Sequence, residues 1–375
     1  MSEQNQNQAP QREAYVEVDK NLAIETVVTE PDVRYHDVRR APFTLYNFED
    51  PANDTIFRRV SADVAEATNP GVVKLAQETA GGRVRFSTDS QYIAIRAEFA
   101  VVGRNSHMTL AQSAGFDLYE DTAADSRFIK AFLPPYKMED GYEQIVRFGS
   151  RRMRHFTIHF PLHSRIRNLY VGLQEDATLG EELPYRNRKP IVIYGSSIVH
   201  GTGACRPGLC YSNILCRRLN MNVLNYGFSG NAKGEPAIAN WLAEKEMSLF
   251  ISDYDHNAPT PEHLAATHLP LYEAIRAKHP DIPYIMISKP NVATNITAAN
   301  EQRKDIILDT YHHALAAGDR NVYYIDGESF FQGKYEYDCT LDGTHPNDLG
   351  YVLMADGIED TIRLALINAG WKDGD

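Results

Sequence analysis

The chain has 375 residues, 43% of them hydrophobic and 23% charged, with a formal net charge of -12. A single core rarely fills that length, so two domains are expected, of ordinary soluble composition. The acidic balance argues against nucleic acid and anionic membrane as partners; it leaves small-molecule and oligosaccharide substrates, and a homo-oligomer stays open.

Residues 1–14 are polar, rich in Gln and Asn at their start, and predict a disordered terminus. They lack the basic and apolar regions of a secretory signal, which leads to the expectation of a cytoplasmic protein. No run of about 18 apolar residues occurs that would predict a membrane-spanning helix.

Residues 15–180 predict an all-β domain. Apolar and polar residues alternate at 43–47, 83–86, 92–99, 144–148, 155–160 and 167–171. In the stretch 155–160, Phe156, Ile158 and Phe160 share one face and His155, Thr157 and His159 the other. That is the pattern of a half-buried antiparallel strand, and repeated with turns between it predicts a β-sandwich. Residues 174–189, polar with Gly180 and Pro184, read as a linker.

From 187 to 375 the pattern changes to strands at 191–194, 223–226, 249–253, 284–288 and 322–326, alternating with helices at about 208–219, 235–245, 262–278, 298–317 and 348–368. This predicts an α/β domain of three layers, a five-stranded parallel sheet covered on both faces. Cys205, Cys210, Cys216 and Cys339 are too few for a disulfide framework and lack paired C-x2-C zinc spacing, so free thiols are expected.

Four pieces of this half lie at carboxyl ends of predicted strands, or in the loop following the last one: Gly195-Ser-Ser197, Asn225-Tyr-Gly-Phe-Ser-Gly230, Asp253-Tyr-Asp-His-Asn257 and Asp342-Gly-Thr-His345. In a parallel sheet such loops converge on one edge. The set suits nucleophilic catalysis. A serine hydroxyl needs a neutral imidazole to take its proton, the imidazole needs a carboxylate on its other nitrogen, and the tetrahedral intermediate needs donors on its oxyanion. Each piece also has a plainer reading. Ser196 or Ser197 suits a helix N-cap, Asp342 to His345 a capping loop, and Gly230 and Asn257 tight turns. His200 and His256 read as pocket wall or surface, outside the mechanism.

The second domain resembles the SGNH hydrolases, also called GDSL-like esterases. Their Gly-Asp-Ser block stands here as Gly195-Ser196-Ser197, with Ser196 in the aspartate's place. The resemblance implies Ser197 as nucleophile, Asp342 and His345 as its partners, and an oxyanion hole from Ser197, Gly230 and Asn257. The Gly-x-Asn-Asp block is reduced to Asp255-His-Asn257-Ala. No Gly-x-Ser-x-Gly elbow surrounds Ser197, which disfavours the α/β-hydrolase fold. Ala114-Gly-Phe-Asp-Leu-Tyr119 is similar to the Gly-x-Asp-Leu-Tyr signature of a two-domain subfamily with an N-terminal jelly-roll. Cys205-Arg-Pro-Gly208, Gly227-Phe-Ser-Gly-Asn-Ala-Lys-Gly-Glu-Pro236 and Asp342-Gly-Thr-His-Pro-Asn-Asp-Leu-Gly350 fit the same subfamily. The resemblance implies a carbohydrate acetyl esterase working through an acyl-enzyme, with no metal or cofactor. An acyltransferase with the same triad and a non-catalytic carbohydrate-binding protein are the alternatives.

Overall fold

The computed structural model describes residues 23–290, 297–333 and 335–375. The disorder expected for 1–14 lies outside them. In the first domain the strands are β1 (Val33–Asp37), β2 (Thr44–Tyr46), β3 (Arg83–Thr88), β4 (Tyr92–Val101), β5 (Phe116–Asp121), β6 (Ser126–Phe132), β7 (Gly141–Arg147), β8 (Arg154–His159), β9 (Arg165–Gln174) and β10 (Leu179–Gly180). They form two antiparallel sheets, ordered β1-β9-β4-β7 and β10-β3-β8-β5-β6, with β2 also on β3. The side chains of Phe86, Ile95, Phe116, Leu118, Phe156, Ile158 and Val171 fill the space between them. This is the all-β sandwich read from the alternation.

The alternation misleads on one face. The register sets Arg83 opposite His159 and His159 opposite Asp117, and Arg85 opposite Thr157 and Thr157 opposite Tyr119. All six side chains are buried. The sheet's polar side faces the second domain instead of water, so β8 is buried on both sides. Strand β5, with Asp117, Glu120 and Asp121, escapes recognition for a related reason: Asp117 has its partners across the seam, Arg206 and Gly208 N, while Glu120 and Asp121 pair within the first domain with Arg152 and Arg85. The expected linker is also pinned down. Leu179 and Gly180 pair with β3, Glu182 lies 3.5 Å from the Arg85 guanidinium, and the Tyr185 hydroxyl accepts from Arg83 Nε at 2.7 Å.

The second domain carries the parallel sheet β12 (Val223–Gly227), β11 (Ile191–Gly195), β13 (Leu249–Asp253), β14 (Tyr284–Ile287) and β15 (Val322–Ile325), in that spatial order. Ile191 and Ile193 face a core shared with helices α5 (Tyr211–Leu219) and α9 (Asp348–Asn368). Val192 and Tyr194 face a core shared with α6 (Pro236–Ala243), α7 (Pro261–Lys278) and α8 (Ala298–Ala316). Helices α1 (Ala62–Thr68) and α2 (Pro70–Leu75), from the first half of the chain, add Ala65 and Val72 to that second core.

Strand β12 is an edge, and its outward polar groups are taken by the first domain. Arg83 Nη1 donates to the Val223 carbonyl at 3.0 Å, and Arg59 Nη1 to those of Asn225 and Gly227 at 3.0 and 2.9 Å. Asn47 donates to the Asn225 carbonyl at 3.2 Å and accepts from its N–H at 2.8 Å. These bonds satisfy groups that would otherwise be stranded away from water.

Candidate active site

Strand β11 ends at Gly195, where a side chain would meet the Asp253 carbonyl at 2.1 Å. The glycine lets β11 and β13 close up just before the turn. There Ser196 N donates to Asp253 O at 3.0 Å, and Ser196 Oγ caps the short helix α4 (Ser197–His200) by accepting from Ile198 N at 3.1 Å. The capping role therefore falls to Ser196, which frees the Ser197 hydroxyl. Ser197 is 7% exposed, enough for a substrate to reach it.

The loop ahead of α9 brings the other two residues. Ser197 Oγ lies 2.9 Å from His345 Nε2, and His345 Nδ1 lies 2.7 Å from Asp342 Oδ2. The His345 and Thr344 N–H groups donate to Asp342 Oδ1 at 2.8 and 3.0 Å. Burial raises the Asp342 carboxyl, but these bonds and the imidazole outweigh it and hold it below its usual value. Burial pulls His345 below 6.5 against the pull of Asp342, helped by the charges of His256 and His107. A neutral imidazole results, backed by a carboxylate, the state a general base needs.

The second and third loops lie alongside. Phe228 N donates to Gly195 O at 2.8 Å, which seats the second loop on the first. Gly230 adopts φ +68° with nothing within 4 Å of where a Cβ would stand, so backbone conformation, not crowding, calls for glycine there. Asn257 ends the turn Asp255–Asn257, and its Oδ1 accepts from Ala232 N at 3.4 Å. That contact points the amide oxygen at the second loop and leaves the NH2 group as the donor.

Neither of the two extra histidines is at the surface. His200 is fully buried. His256 has a side chain 9% exposed, with Nδ1 2.8 Å from Asp255 Oδ1 and Nε2 enclosed without a partner. It is wall beside His345. Sequence reasoning missed His107, an exposed residue of the first domain whose ring stands 6.1 Å from that of His345; an isolated polar loop residue gives no signal.

Among the described residues, two groups place three ligand-type atoms within 4.8 Å of one another, Glu78–His163–His200 and Asp253–Asp255–His256. In the first, the imidazoles stack at 4.2 Å and 16°, so their lone pairs lie in near-parallel planes and do not converge on one ion. In the second, Tyr211 donates to Asp253 at 3.0 Å, and Asp255 is occupied by His256 and Lys289 N. Burial pushes Asp253 up to about 7.

Cys205, Cys210, Cys216 and Cys339 are free. The residues of the Ala114–Tyr119 stretch work across the seam. Asp117 Oδ2 accepts from Arg206 Nη1 at 2.8 Å and Gly208 N at 2.7 Å, and Arg206 Nη1 also donates to the Tyr119 hydroxyl at 2.6 Å.

Residues 188–363 match the GDSL-like lipase/acylhydrolase family, and residues 33–179 match the N-terminus of SGNH-hydrolase-type esterases. A crystal structure of a candidate GDSL-like lipase from Bacteroides ovatus is similar at TM-score 0.81 and 25% identity, covering 92% of this chain and 100% of that one. A salicylyl-acyltransferase from a tetracycline biosynthetic pathway is similar at 0.72 and 18%, covering 89% and 98%. An acetyl xylan esterase from the rumen bacterium Butyrivibrio proteoclasticus is similar at 0.57 and 11%, covering 89% and 99%. No curated protein matches the sequence.

Proposed function

The chain joins a GDSL-like lipase/acylhydrolase domain to the N-terminal domain of SGNH-type esterases, and from that premise we propose that it is a serine esterase releasing acetyl groups from carbohydrates. The observation that carries the reading is the unbroken chain from Ser197 Oγ to His345 Nε2 at 2.9 Å and from His345 Nδ1 to Asp342 at 2.7 Å. Ser197 Oγ bonds to the ester carbon while its proton passes to His345 Nε2. The N–H groups of Ser197 and Gly230 and the Asn257 amide hold the oxyanion. The C–O bond to the alcohol then breaks, the alcohol takes the proton from His345, and water repeats the sequence to free acetate and Ser197.

The preference for a sugar alcohol draws support from the first domain. Residues adjoining His107 in the chain line a cleft of about 500 Å³, with Arg104, Asn105, Ser106, Met108, Leu110, Ser113 and Tyr136 in its wall and Tyr136 86% exposed. Its exposed aromatic ring beside Arg104, Asn105 and Ser106 would suit a sugar ring, and Met108 and Leu110 make a chain-length series the deciding test. The test pairs a nitrophenyl ester series with mass spectrometry of acetylated oligosaccharides. On the esters, kcat/KM should fall steeply from acetate to butyrate to octanoate, since an unaccommodated methylene forfeits about 0.8 kcal/mol of burial and adds a clash. Preference for octanoate would overturn the sugar reading. Acetate transferred to an added alcohol in place of water would favour the acyltransferase.

A further inference from the structure

The seam runs beneath the second loop of the site. Arg59, fully buried, donates to the carbonyls of Asn225 and Gly227, and through Nε and Nη2 to those of Glu78 and Leu75, each at 2.8 Å. Glu78 Oε2 lies 3.1 Å from His163 Nδ1 and 3.2 Å from His200 Nε2. His200 Nε2 also faces the Leu162 carbonyl at 2.8 Å, so its proton sits on Nε2, and Nδ1 accepts from the Ser229 hydroxyl at 3.3 Å. Burial raises Glu78, but donation from both imidazoles holds it far below its usual value, while burial drops His200 to about 3. The seam thus holds a carboxylate, a neutral His200 and the Arg59 cation.

His200 lies on the same helix as Ser197, and Ser229 directly precedes Gly230. A Cβ at Gly230 would meet nothing within 4 Å. Its place follows from residues 225–229, whose Asn225 and Gly227 carbonyls bond to the first domain while Phe228 N and the Asn225 side-chain amide bond within the second. We propose that Arg59 and Glu78 are positioning residues: acting through the Asn225 and Gly227 carbonyls and through His200 and Ser229, the N-terminal domain sets where the Gly230 N–H meets the oxyanion. This rests on the esterase reading of Gly230.

The test compares wild type, Glu78→Gln, Ser229→Ala and the double variant. Active sites are counted with a fluorophosphonate, and kcat and KM per counted site are measured on nitrophenyl acetate. Each single change should lower kcat per site about tenfold with KM little altered, as expected for a displaced oxyanion donor. The double variant should lose no more than the worse single one, because both changes cut the same path. Ser229→Ala leaves the seam's charges in place and carries the test if Glu78→Gln does not fold. A role confined to folding would lower the number of sites and the Tm while leaving kcat per site unchanged, and that result overturns the proposal. Active wild type with fully active variants overturns it alone. A wild type that neither labels at Ser197 nor hydrolyses any ester overturns the esterase reading and this proposal with it.

Discussion

Two carboxylate–histidine pairs meet the helix that begins at Ser197, each with a serine hydroxyl on the far side of the ring, and they differ in how deeply the ring is buried. In Asp342–His345 the side chains are 39% and 20% exposed, and Nε2 faces a serine hydroxyl that substrate can reach. In Glu78–His200 they are 18% and 0% exposed, Nε2 is held between the carboxylate and the Leu162 carbonyl, and Nδ1 faces the Ser229 hydroxyl at the longer distance of 3.3 Å. Burial lowers both imidazoles, so both are neutral near pH 7. On the proposed reading, the same chemical pair reacts in one setting and serves as a strut in the other. The pair proposed to react is the one whose ring is partly exposed and stands 2.9 Å from its serine.

Three measurements would break or sharpen that contrast. The largest effect is expected from Ser197→Ala, a loss in kcat on the order of 10⁴ or more. Ser196→Ala should keep most activity and lose about 1 kcal/mol of stability with its helix cap. Exchanged behaviour of the two variants would move the site by one residue. Asp342→Asn comes next. It should cost on the order of 10³–10⁴ in kcat through loss of tautomer control, with little change in Tm, because Asp342 is the more exposed carboxylate. A large Tm drop would make Asp342 a strut like Glu78.

The smallest effect is on pH dependence. His345 is lowered from 6.5, so kcat/KM should be level at pH 7 and fall about tenfold per unit once pH drops through a value under 6.5. For stability the sign follows from His200, lowered from 6.5 to about 3. Below 6.5 the unfolded chain takes a proton that the folded chain refuses. Stability from this group is therefore whole above 6.5 and is lost progressively toward 3. Urea midpoints across that range check it; midpoints that rise on acidification would contradict a neutral buried His200.

The sequence made the parallel sheet and the site loops legible because their signals are local. Runs such as Ile191-Val-Ile-Tyr194 mark strands buried on both faces, and Asp342 and His345 sit three residues apart on one loop. What escaped depends on distant partners. Arg83, Arg85 and His159 alternate with apolar neighbours as solvent-facing residues do, and only the second domain's presence buries them. Arg59 and Glu78 carry no motif, since the partners that matter to the site, Asn225, Gly227 and His200, lie more than a hundred residues away. His107 reaches the site only through the fold of the first domain.

The way Asn47, Arg59 and Arg83 cover strand β12 bears on how such proteins are inherited and dissected. Cutting the gene at the polar stretch near residue 187 would release a catalytic half with three bare carbonyls along a flat strand and a hole where Ala65 and Val72 had been. An uncovered edge of that kind recruits other chains into intermolecular sheets. The two halves are therefore separable units of sequence but one unit of solubility, and recombination that shuffled either half without its companion would yield aggregates before it yielded a new enzyme.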